Sequence, residues 1–364
     1  MEIFTELNKN PNLSLALGFF DGVHLGHKKV IESAVDFAKR NNTKSAVITF
    51  KNHPCCYLWD VKPKYILTRQ ARQEKIAELG VDFLYELDFE SIAGLTAEDY
   101  LKSVLVDNFM PSAISTGWNH NFGYKKSGDT KFLRENSKKF GYEYFELPPV
   151  KLSFSPLHTG EGASVNELAN FTLAGEGKTK KLTLPFVDGA EIISSTAIRK
   201  YLKDGKIEKA NQMLGYNFSI TGKVVKGNQI GRTIGFKTAN IEYPAELIEI
   251  PFGVYATIAH PRPLWERAEF VNERSEFTNS GEGLAPTLTP SPIGEGRLNA
   301  IANYGLRPTI NGNKPVLEVH ILDFDEDIYG ETITVEFLRM LRPERKFNSL
   351  EELKEQIKQD ISKI

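Results

Sequence analysis

The chain has 364 residues and a mass of 40.9 kDa, a size that suits two or three domains. Its 45 Lys and Arg residues nearly balance its 47 Asp and Glu residues, and the formal charge is only -2. This balance argues against a protein that binds nucleic acid through a basic surface. The apolar fraction of 41% is ordinary for globular domains with buried cores.

The two cysteines and the first residues of the chain are typical of a cytoplasmic protein. Cys55 and Cys56 are adjacent, which is a poor geometry for a disulfide, and two cysteines are too few for a zinc site. Residues 1–6 carry neither a basic segment nor a long apolar one, and no run of about 18 apolar residues occurs. We therefore expect a cytoplasmic protein with no secretion signal and no membrane-spanning helix.

The first half of the chain alternates short apolar runs with helical patterns. The predicted strands cover residues 13–20, 45–50, 81–85, 113–116 and 142–147. The predicted helices cover residues 27–40, 68–79, 96–108 and 130–140. Such alternation is typical of a parallel sheet with helices on both faces, which binds ligands at the carboxyl ends of its strands.

The second half of the chain has a different pattern, which begins after Gly215. The predicted strands cover residues 218–225, 253–259, 299–304, 316–324 and 332–341. Ser349 and Glu352 then form a capping box for one last helix with an apolar stripe. This order predicts a small antiparallel barrel or sandwich with a docked terminal helix.

The change of pattern predicts two domains, covering residues 1–205 and 206–364. Residues 155–178 and 261–297 fit neither pattern, because they are rich in Gly, Ser, Thr and Pro. Each of these segments also contains Gly-Glu-Gly twice. We interpret both as surface insertions, the second of them in a lengthened hairpin loop.

The first candidate site is the segment 18–27, GFFDGVHLGH, where a strand ends and a helix begins. A helix start offers free N–H groups and a positive dipole end, so it favours phosphate. His24 and His27 add hydrogen-bond donors for a negatively charged phosphorus centre. The alternative is a tight turn with two surface histidines, but the position of Asp21 and Gly22 between strand and helix favours function.

Two further segments of the first half offer ligand contacts. Residues 193–199, ISSTAIR, place Ser195, Thr196 and Arg199 at another predicted helix start, where they form a suitable clamp for phosphates. The alternative is an ordinary serine cap with an exposed arginine. Residues 117–123, GWNHNFG, follow a strand, and their Asn119 is a candidate contact for a base or ring.

The second half contains another candidate nucleotide site. Gly227 and Gly231 open a glycine-rich stretch whose backbone amides can wrap phosphates. Thr238 and Asn240 follow with the hard oxygen atoms that Mg²⁺ prefers. The alternative is a glycine-rich turn of a barrel.

Glu318 is an acid within an otherwise apolar strand pattern, VLEVHILDF, at 316–324. A positioned carboxylate can take a proton from an alcohol, which makes this residue a candidate general base. The alternative is a glutamate on the solvent face of an alternating strand.

Five motifs occur in an order that resembles the bacterial family of bifunctional riboflavin kinase/FMN adenylyltransferases. The motifs similar to its nucleotidyltransferase signatures are GFFDGVHLGH and ISSTAIR. Those similar to its flavokinase signatures are GRTIGFKTAN, ANYGLRPT and LEVHILDFDEDIYG. The resemblance implies an α/β nucleotidyltransferase domain with a Rossmann-like parallel sheet, followed by an all-β flavokinase-type barrel with a C-terminal helix.

The resemblance also implies two reactions. ATP phosphorylates riboflavin to FMN, and a second ATP then adenylylates FMN to FAD with release of pyrophosphate. The implied partners are these small molecules with Mg²⁺ as cofactor, without nucleic acid or membrane, and with at most a weak homo-oligomer. In the kinase domain, the resemblance implies that Glu318 is the base and that Thr238 and Asn240 hold Mg-ATP, with Gly227 and Gly231 as further ATP contacts. In the adenylyltransferase domain, it implies that His24 and His27 stabilise the transition state. Ser195, Thr196 and Arg199 would there clamp the triphosphate, and Gly18, Phe19 and Asp21 would contact ATP.

The sequence departs from the family pattern at three places. Lys237 stands where the family usually has proline, residues 117–123 are more polar than usual, and the second insertion falls within the kinase domain. These departures leave an adenylyltransferase with an impaired kinase domain as an alternative. Two others are a flavin-binding protein without turnover and a transferase that adenylylates another acceptor.

Overall fold

The computed structural model describes residues 1–59, 62–153, 190–226, 235–261, 296–309 and 312–364. The strands of the first half are β1 (Glu2–Phe4), β2 (Leu13–Leu17), β3 (Lys44–Phe50), β4 (Phe83–Leu87), β5 (Ala113–Gly117), β6 (Asn121–Phe122), β7 (Gly128–Asp129), β8 (Glu143–Leu147), β9 (Lys151–Ser153) and β10 (Ala190–Ile192). The helices of the first half and the join are α1 (Leu25–Arg40), α2 (Cys55–Leu58), α3 (Arg69–Ala77), α4 (Ala97–Asp99), a π-helical stretch (Tyr100–Val106), α5 (Asp107–Phe109), a short 3-10 helix (Tyr124–Lys126), α6 (Thr130–Phe140), α7 (Ser195–Lys203) and α8 (Ile207–Leu214).

The five predicted strands form a parallel sheet together with β1, which the sequence analysis missed, in the order β1-β4-β3-β2-β5-β8. β2 has β3 on one side and β5 on the other, so the strand order reverses between β2 and β5. In open α/β sheets a ligand crevice lies at the carboxyl ends of the strands where the order reverses. The loops that follow β2 and β5 therefore flank the expected binding crevice.

The first strand and helix show how local sequence positions this crevice. β2 ends at Leu17, three residues before the predicted end of the strand at Phe20, whose φ of 58° lies outside the extended region. α1 begins two residues earlier than predicted and is capped by His24. Its buried face packs on the sheet through Val30, Ile31, Ala34, Val35 and Ala38.

The second half forms a closed antiparallel barrel followed by a helix, as predicted. Its elements are β11 (Ser219–Val225), β12 (Ala239–Glu242), β13 (Gly253–His260), β14 (Leu298–Thr309), β15 (Gly312–Ile321), β16 (Thr332–Pro343) and α9 (Leu350–Ile361). The barrel order is β11-β12-β15-β14-β13-β16. The sequence analysis missed β12, a strand of only four residues, and missed α8.

The side chains of β15 alternate between the barrel interior and its outer face. Leu317 and Val319 are fully buried and Ile321 nearly so, which places them in the core of the barrel. Glu318 lies between them and therefore points to the outer face.

The two predicted insertions fall largely outside the described residues. β9 and β10 pair antiparallel on either side of residues 154–189, which include the predicted insertion 155–178. β13 and β14 pair antiparallel on either side of residues 262–295, which include most of the second. The second insertion therefore connects neighbouring strands, as a lengthened hairpin loop would.

The sheet and the barrel share one hydrophobic core through α7 and α8. The cluster runs from Ile31 beside the sheet through Leu214 of α8 to Phe337 of the barrel. The Asn211 side chain donates to the carbonyl of Phe337 at 2.8 Å, while its Oδ1 accepts from the N–H of Phe218 at 2.8 Å. Across the described ranges, the structure has no helix with the length and apolarity needed to cross a membrane.

Candidate active sites

The loop after β2 brings His24 and His27 together. The N–H of His27 donates to Nδ1 of His24 at 3.2 Å, so His24 caps the helix that carries His27. Their rings stack with centroids 3.6 Å apart. Gly18 lets the loop close tightly, because a Cβ there would lie 2.8 Å from the ring of Phe20.

Both imidazoles are neutral at neutral pH in this arrangement. Burial, with a smaller contribution from the charge of Arg199, lowers the pKa of His24 to about 4. Burial also lowers the pKa of His27 well below its ordinary value, with added repulsion from His24 and Arg199. Since Nδ1 of His24 accepts a hydrogen bond, its proton is carried by Nε2, which can donate to a phosphate oxygen.

Asp21 connects this loop to the ISSTAIR segment, although 178 positions separate it from Arg199. Its Oδ2 pairs with Nη2 of Arg199 at 2.5 Å, and its backbone carbonyl accepts from Oγ of Ser195 at 2.8 Å. Its Oδ1 accepts from the N–H groups of Ile66 and Leu67 at 3.0 and 3.4 Å. Asp21 therefore holds two residues of the predicted clamp beside the histidine loop.

The clamp residues Ser195 and Thr196 lie in the first turn of α7. Ser194, rather than Ser195, caps this helix by accepting from the N–H of Ala197 at 3.2 Å. That leaves the hydroxyl of Ser195 to bind Asp21, while Thr196 is exposed. The segment therefore contains the serine cap of the alternative interpretation, but its arginine is half-buried and paired with Asp21 rather than exposed.

Phe19 is held by a network that the sequence analysis missed. Its carbonyl accepts from Oγ1 of Thr49 at 3.1 Å and from Nη1 of Arg72 at 3.3 Å. The Arg72 guanidinium lies 4.5 Å from the Phe19 ring centroid and pairs with the buried carboxylate of Glu86 at 2.9 Å. Burial by itself raises the pKa of Glu86, but hydrogen bonds from side chains of α3 hold it below its ordinary value. The sequence did offer one indication of this network, since Arg72 lies on the buried face of the predicted helix 68–79.

The loop after β5 lies on the other side of the crevice. Asn119 is exposed there, and its carbonyl accepts from the side chain of Asn121 at 2.8 Å. His120 stacks on Phe122 with centroids 5.8 Å apart, and burial lowers its pKa to about 4. The parallel pairing of β2 and β5 brings this loop to the same sheet edge as the histidine loop.

A cavity of about 170 Å³ lies on the barrel domain. The residues that line it are Val224, Lys237, Thr238, Ala239, Asn240, Val319, Ile321, Phe324, Asp325, Glu326, Asp327, Ile328 and Tyr329. Asn240 is 3% exposed, and its Oδ1 has no hydrogen-bond partner among the residues described. A buried oxygen without a partner is costly unless a ligand or water binds it, so a residue of the cavity lining has an acceptor that a ligand could satisfy.

Glu318 lies next to this cavity but is not among its lining residues in the part of the chain described. The pairing of β12 with β15 puts Glu318 directly opposite Asn240, on the same face of the barrel. Directly opposite residues have Cβ atoms about 5 Å apart. The predicted base is therefore close to the predicted metal ligand, while Gly227 and Gly231 lie outside the described residues.

Lys237 and the acidic segment 325–327 meet at the edge of the cavity. Nζ of Lys237 pairs with the carboxylate of Asp325. The backbone carbonyl of Lys237 accepts a hydrogen bond from Nδ1 of His320 at 2.7 Å. The sequence analysis quoted this acidic segment within a motif but gave it no role. Its position shows that three acidic side chains lie on the border of the candidate nucleotide cavity.

The fold and the two sites define a transferase of two domains, one nucleotidyltransferase-like and one flavokinase-like. A family model for FAD synthetase matches residues 6–157, and one for riboflavin kinase matches residues 214–364. The chain therefore belongs to the family of bifunctional riboflavin kinase/FMN adenylyltransferases.

Similar proteins cover nearly the whole chain. The Listeria monocytogenes bifunctional riboflavin kinase/FMN adenylyltransferase is 30% identical, over 98% of this chain and 91% of its own length. Those of Bacillus subtilis and Escherichia coli are 31% and 29% identical, each over 95% of this chain and 89% and 90% of their own lengths. A crystal structure described as a macrolide-efflux protein from Streptococcus pneumoniae is 27% identical, with a TM-score of 0.72 over 100% of this chain and 98% of that one.

Proposed function

We propose that this chain makes FAD from riboflavin in two ATP-dependent steps at two separate sites. One arrangement supports this most directly: a single chain has two stacked histidines at the start of a helix and a barrel cavity lined by Thr238 and Asn240. Similarity to bifunctional enzymes along nearly the full length agrees with two sites rather than one.

In the adenylyl transfer step, a phosphate oxygen of FMN attacks the α-phosphorus of ATP, and pyrophosphate leaves. Nε2–H of His24, the ring of His27 and the free N–H groups of α1 stabilise the charge on the phosphorus centre. Arg199 and Thr196 hold the two departing phosphates, with Ser195 placed beside them by Asp21. Gly18 and Phe19 border the ATP site, and Asn119 contacts the nucleotide or flavin.

In the kinase step, the oxygen of the ribityl 5′-hydroxyl attacks the γ-phosphorus of ATP and ADP leaves, while Glu318 accepts the proton of that hydroxyl. The donor set suits Mg²⁺, because Thr238 and Asn240 offer oxygen atoms and Oδ1 of Asn240 is buried without a partner among the described residues. Mg²⁺ would neutralise charge on the phosphates there. Gly227 and Gly231 keep the role of ATP contacts that the family resemblance implies.

The same proposal divides the chain at 205/206, between α7 and α8, into an adenylyltransferase domain and a kinase domain. Gly205, with a φ of 72°, makes the turn between these helices. ATP, riboflavin and FMN are then the partners of the protein, with no role for nucleic acid.

The test is chromatographic separation of flavins after incubation with ATP, Mg²⁺ and either riboflavin or FMN. The expected result is FAD from both substrates, with transient FMN from riboflavin. FAD from FMN alone would refute the kinase half and leave an adenylyltransferase with an impaired kinase domain. No conversion of either substrate would refute the proposed function.

A further inference from the structure

Tyr216 lies within the part of the chain matched by riboflavin kinases, yet it contacts the histidine loop of the other domain. Its hydroxyl donates to the carbonyl of Gly22 at 2.5 Å, across 194 positions of sequence. Gly22 and Val23 have φ values of 84° and 31° and directly precede His24. Because a β-branched residue is strained at a positive φ, this loop needs outside contacts to keep its shape.

The surroundings of Tyr216 keep it a fixed hydrogen-bond donor. Burial raises its pKa well above the ordinary value, and the charges of Asp21 and Glu78 raise it further. The ammonium groups of Lys28 and Lys75 lie 5.3 and 5.0 Å from its ring centroid. The hydroxyl therefore stays protonated, and the ring is restrained by two cations.

A second contact between the domains reaches the same loop. The N–H of Tyr65 donates to the carbonyl of Glu246, and the N–H of Ile248 donates to the carbonyl of Tyr65, both at 2.8 Å. The next two residues after Tyr65 donate their N–H groups to Asp21, the partner of Arg199. Backbone pairing with the barrel thus supports the segment that fixes this carboxylate.

We propose that Tyr216 is a positioning residue for adenylyl transfer, which acts from the kinase domain by fixing the Gly22 carbonyl and so the orientation of His24. The inference rests on the proposed function, because it takes His24 to face the reacting phosphate. Its consequence is that one hydroxyl of the kinase domain sets the rate of the reaction on the other domain.

The test compares Tyr216→Phe with Tyr142→Phe. Tyr142 is the matched control, because its hydroxyl also donates to a backbone carbonyl at 2.5 Å, that of Leu133, away from both sites. We expect Tyr216→Phe to lower kcat for FMN adenylylation about five- to tenfold with little change in KM for FMN. Riboflavin phosphorylation by the same sample should be unchanged, and Tyr142→Phe should leave the ratio of the two rates at the wild-type value. An unchanged ratio in Tyr216→Phe, or equal loss of both reactions, overturns the proposal.

Hydrogen exchange separates failure of this inference from failure of the proposed function. Backbone amides of residues 18–28 should exchange faster in Tyr216→Phe than in wild type or Tyr142→Phe. A wild-type protein that makes no FAD would refute the proposed function, and exchange would then decide the role of Tyr216 alone. Equal exchange in all three proteins would refute that role.

Discussion

His24 caps the helix that carries His27, and the two imidazole rings stack with their centroids 3.6 Å apart. His24 therefore has two roles, since its Nδ1 caps the amino end of α1 while its Nε2 can donate a hydrogen bond to a ligand. A substitution of His24 that still caps the helix but has no imidazole ring would separate the capping role from the ligand-binding role.

Replacing His24 with Asn is expected to remove adenylyl transfer while preserving the fold. Asn is a strong helix cap, whereas Ala at this position should also cost about 1 kcal/mol of stability. FMN adenylylation should fall at least about 100-fold in His24→Asn, because a donor to the transition state is lost. Riboflavin should still be phosphorylated, so FMN should accumulate on the chromatogram. FAD formation at the wild-type rate would contradict the role given to His24.

The low pKa of His24 predicts a pH dependence of stability. Between pH 6.5 and about 4 the imidazole is protonated in the unfolded chain but neutral in the folded protein. The unfolded state then binds more protons, so stability falls as pH drops through this range, by about 3 kcal/mol at most. Urea unfolding of wild type and His24→Asn at several pH values checks this, because the variant should have a flatter profile. Identical slopes would mean that folding does not lower the pKa of His24.

Glu318→Gln should abolish riboflavin phosphorylation while FMN adenylylation persists. The amide cannot accept the proton of the hydroxyl, and loss of a general base lowers rates by about 100-fold or more. Glu242→Gln is the matched control, since Glu242 is an exposed acid on β12 of the same strand pair. Parallel loss of both reactions in a folded Glu318→Gln protein would argue against two separate sites.

Asn240→Leu should remove kinase activity without destabilising the protein. Leu has a similar shape and leaves no buried oxygen unpaired, so the unfolding midpoint should stay equal or rise. Phosphorylation of riboflavin should be lost at every Mg²⁺ concentration, with FMN adenylylation intact. Kinase activity that survives the substitution would remove Asn240 from the metal site.

Lys237→Pro should affect the kinase reaction alone. Proline keeps the carbonyl that accepts from His320 but stiffens the loop and removes the exposed ion pair with Asp325. We expect KM for ATP in riboflavin phosphorylation to fall about two- to fivefold, as a less flexible loop is easier to order. Lys237→Ala, which removes the charge without the ring, should raise this KM instead. A change in FMN adenylylation in either variant would contradict the assignment.

Much of the fold was predictable from local patterns. The alternation of strands and helices in the first half, the span of α6 and the terminal helix follow from the spacing of apolar residues and from caps. β12 was not predictable in this way, because four residues inside a ligand motif carry too little periodicity. Its existence depends on its partners β11 and β15.

The motifs and their order were enough to indicate two nucleotide sites, since a motif is a matter of neighbours in the chain. Which side chains meet at each site was decided only by the tertiary structure. Asp21 meets Arg199 across 178 positions, and Tyr216 meets Gly22 across 194. Glu318 faces Asn240 only because the register of β12 and β15 places them opposite each other. Such contacts depend on how strands and helices pack, and a pattern of period 2 or 3.6 contains no information about distant partners.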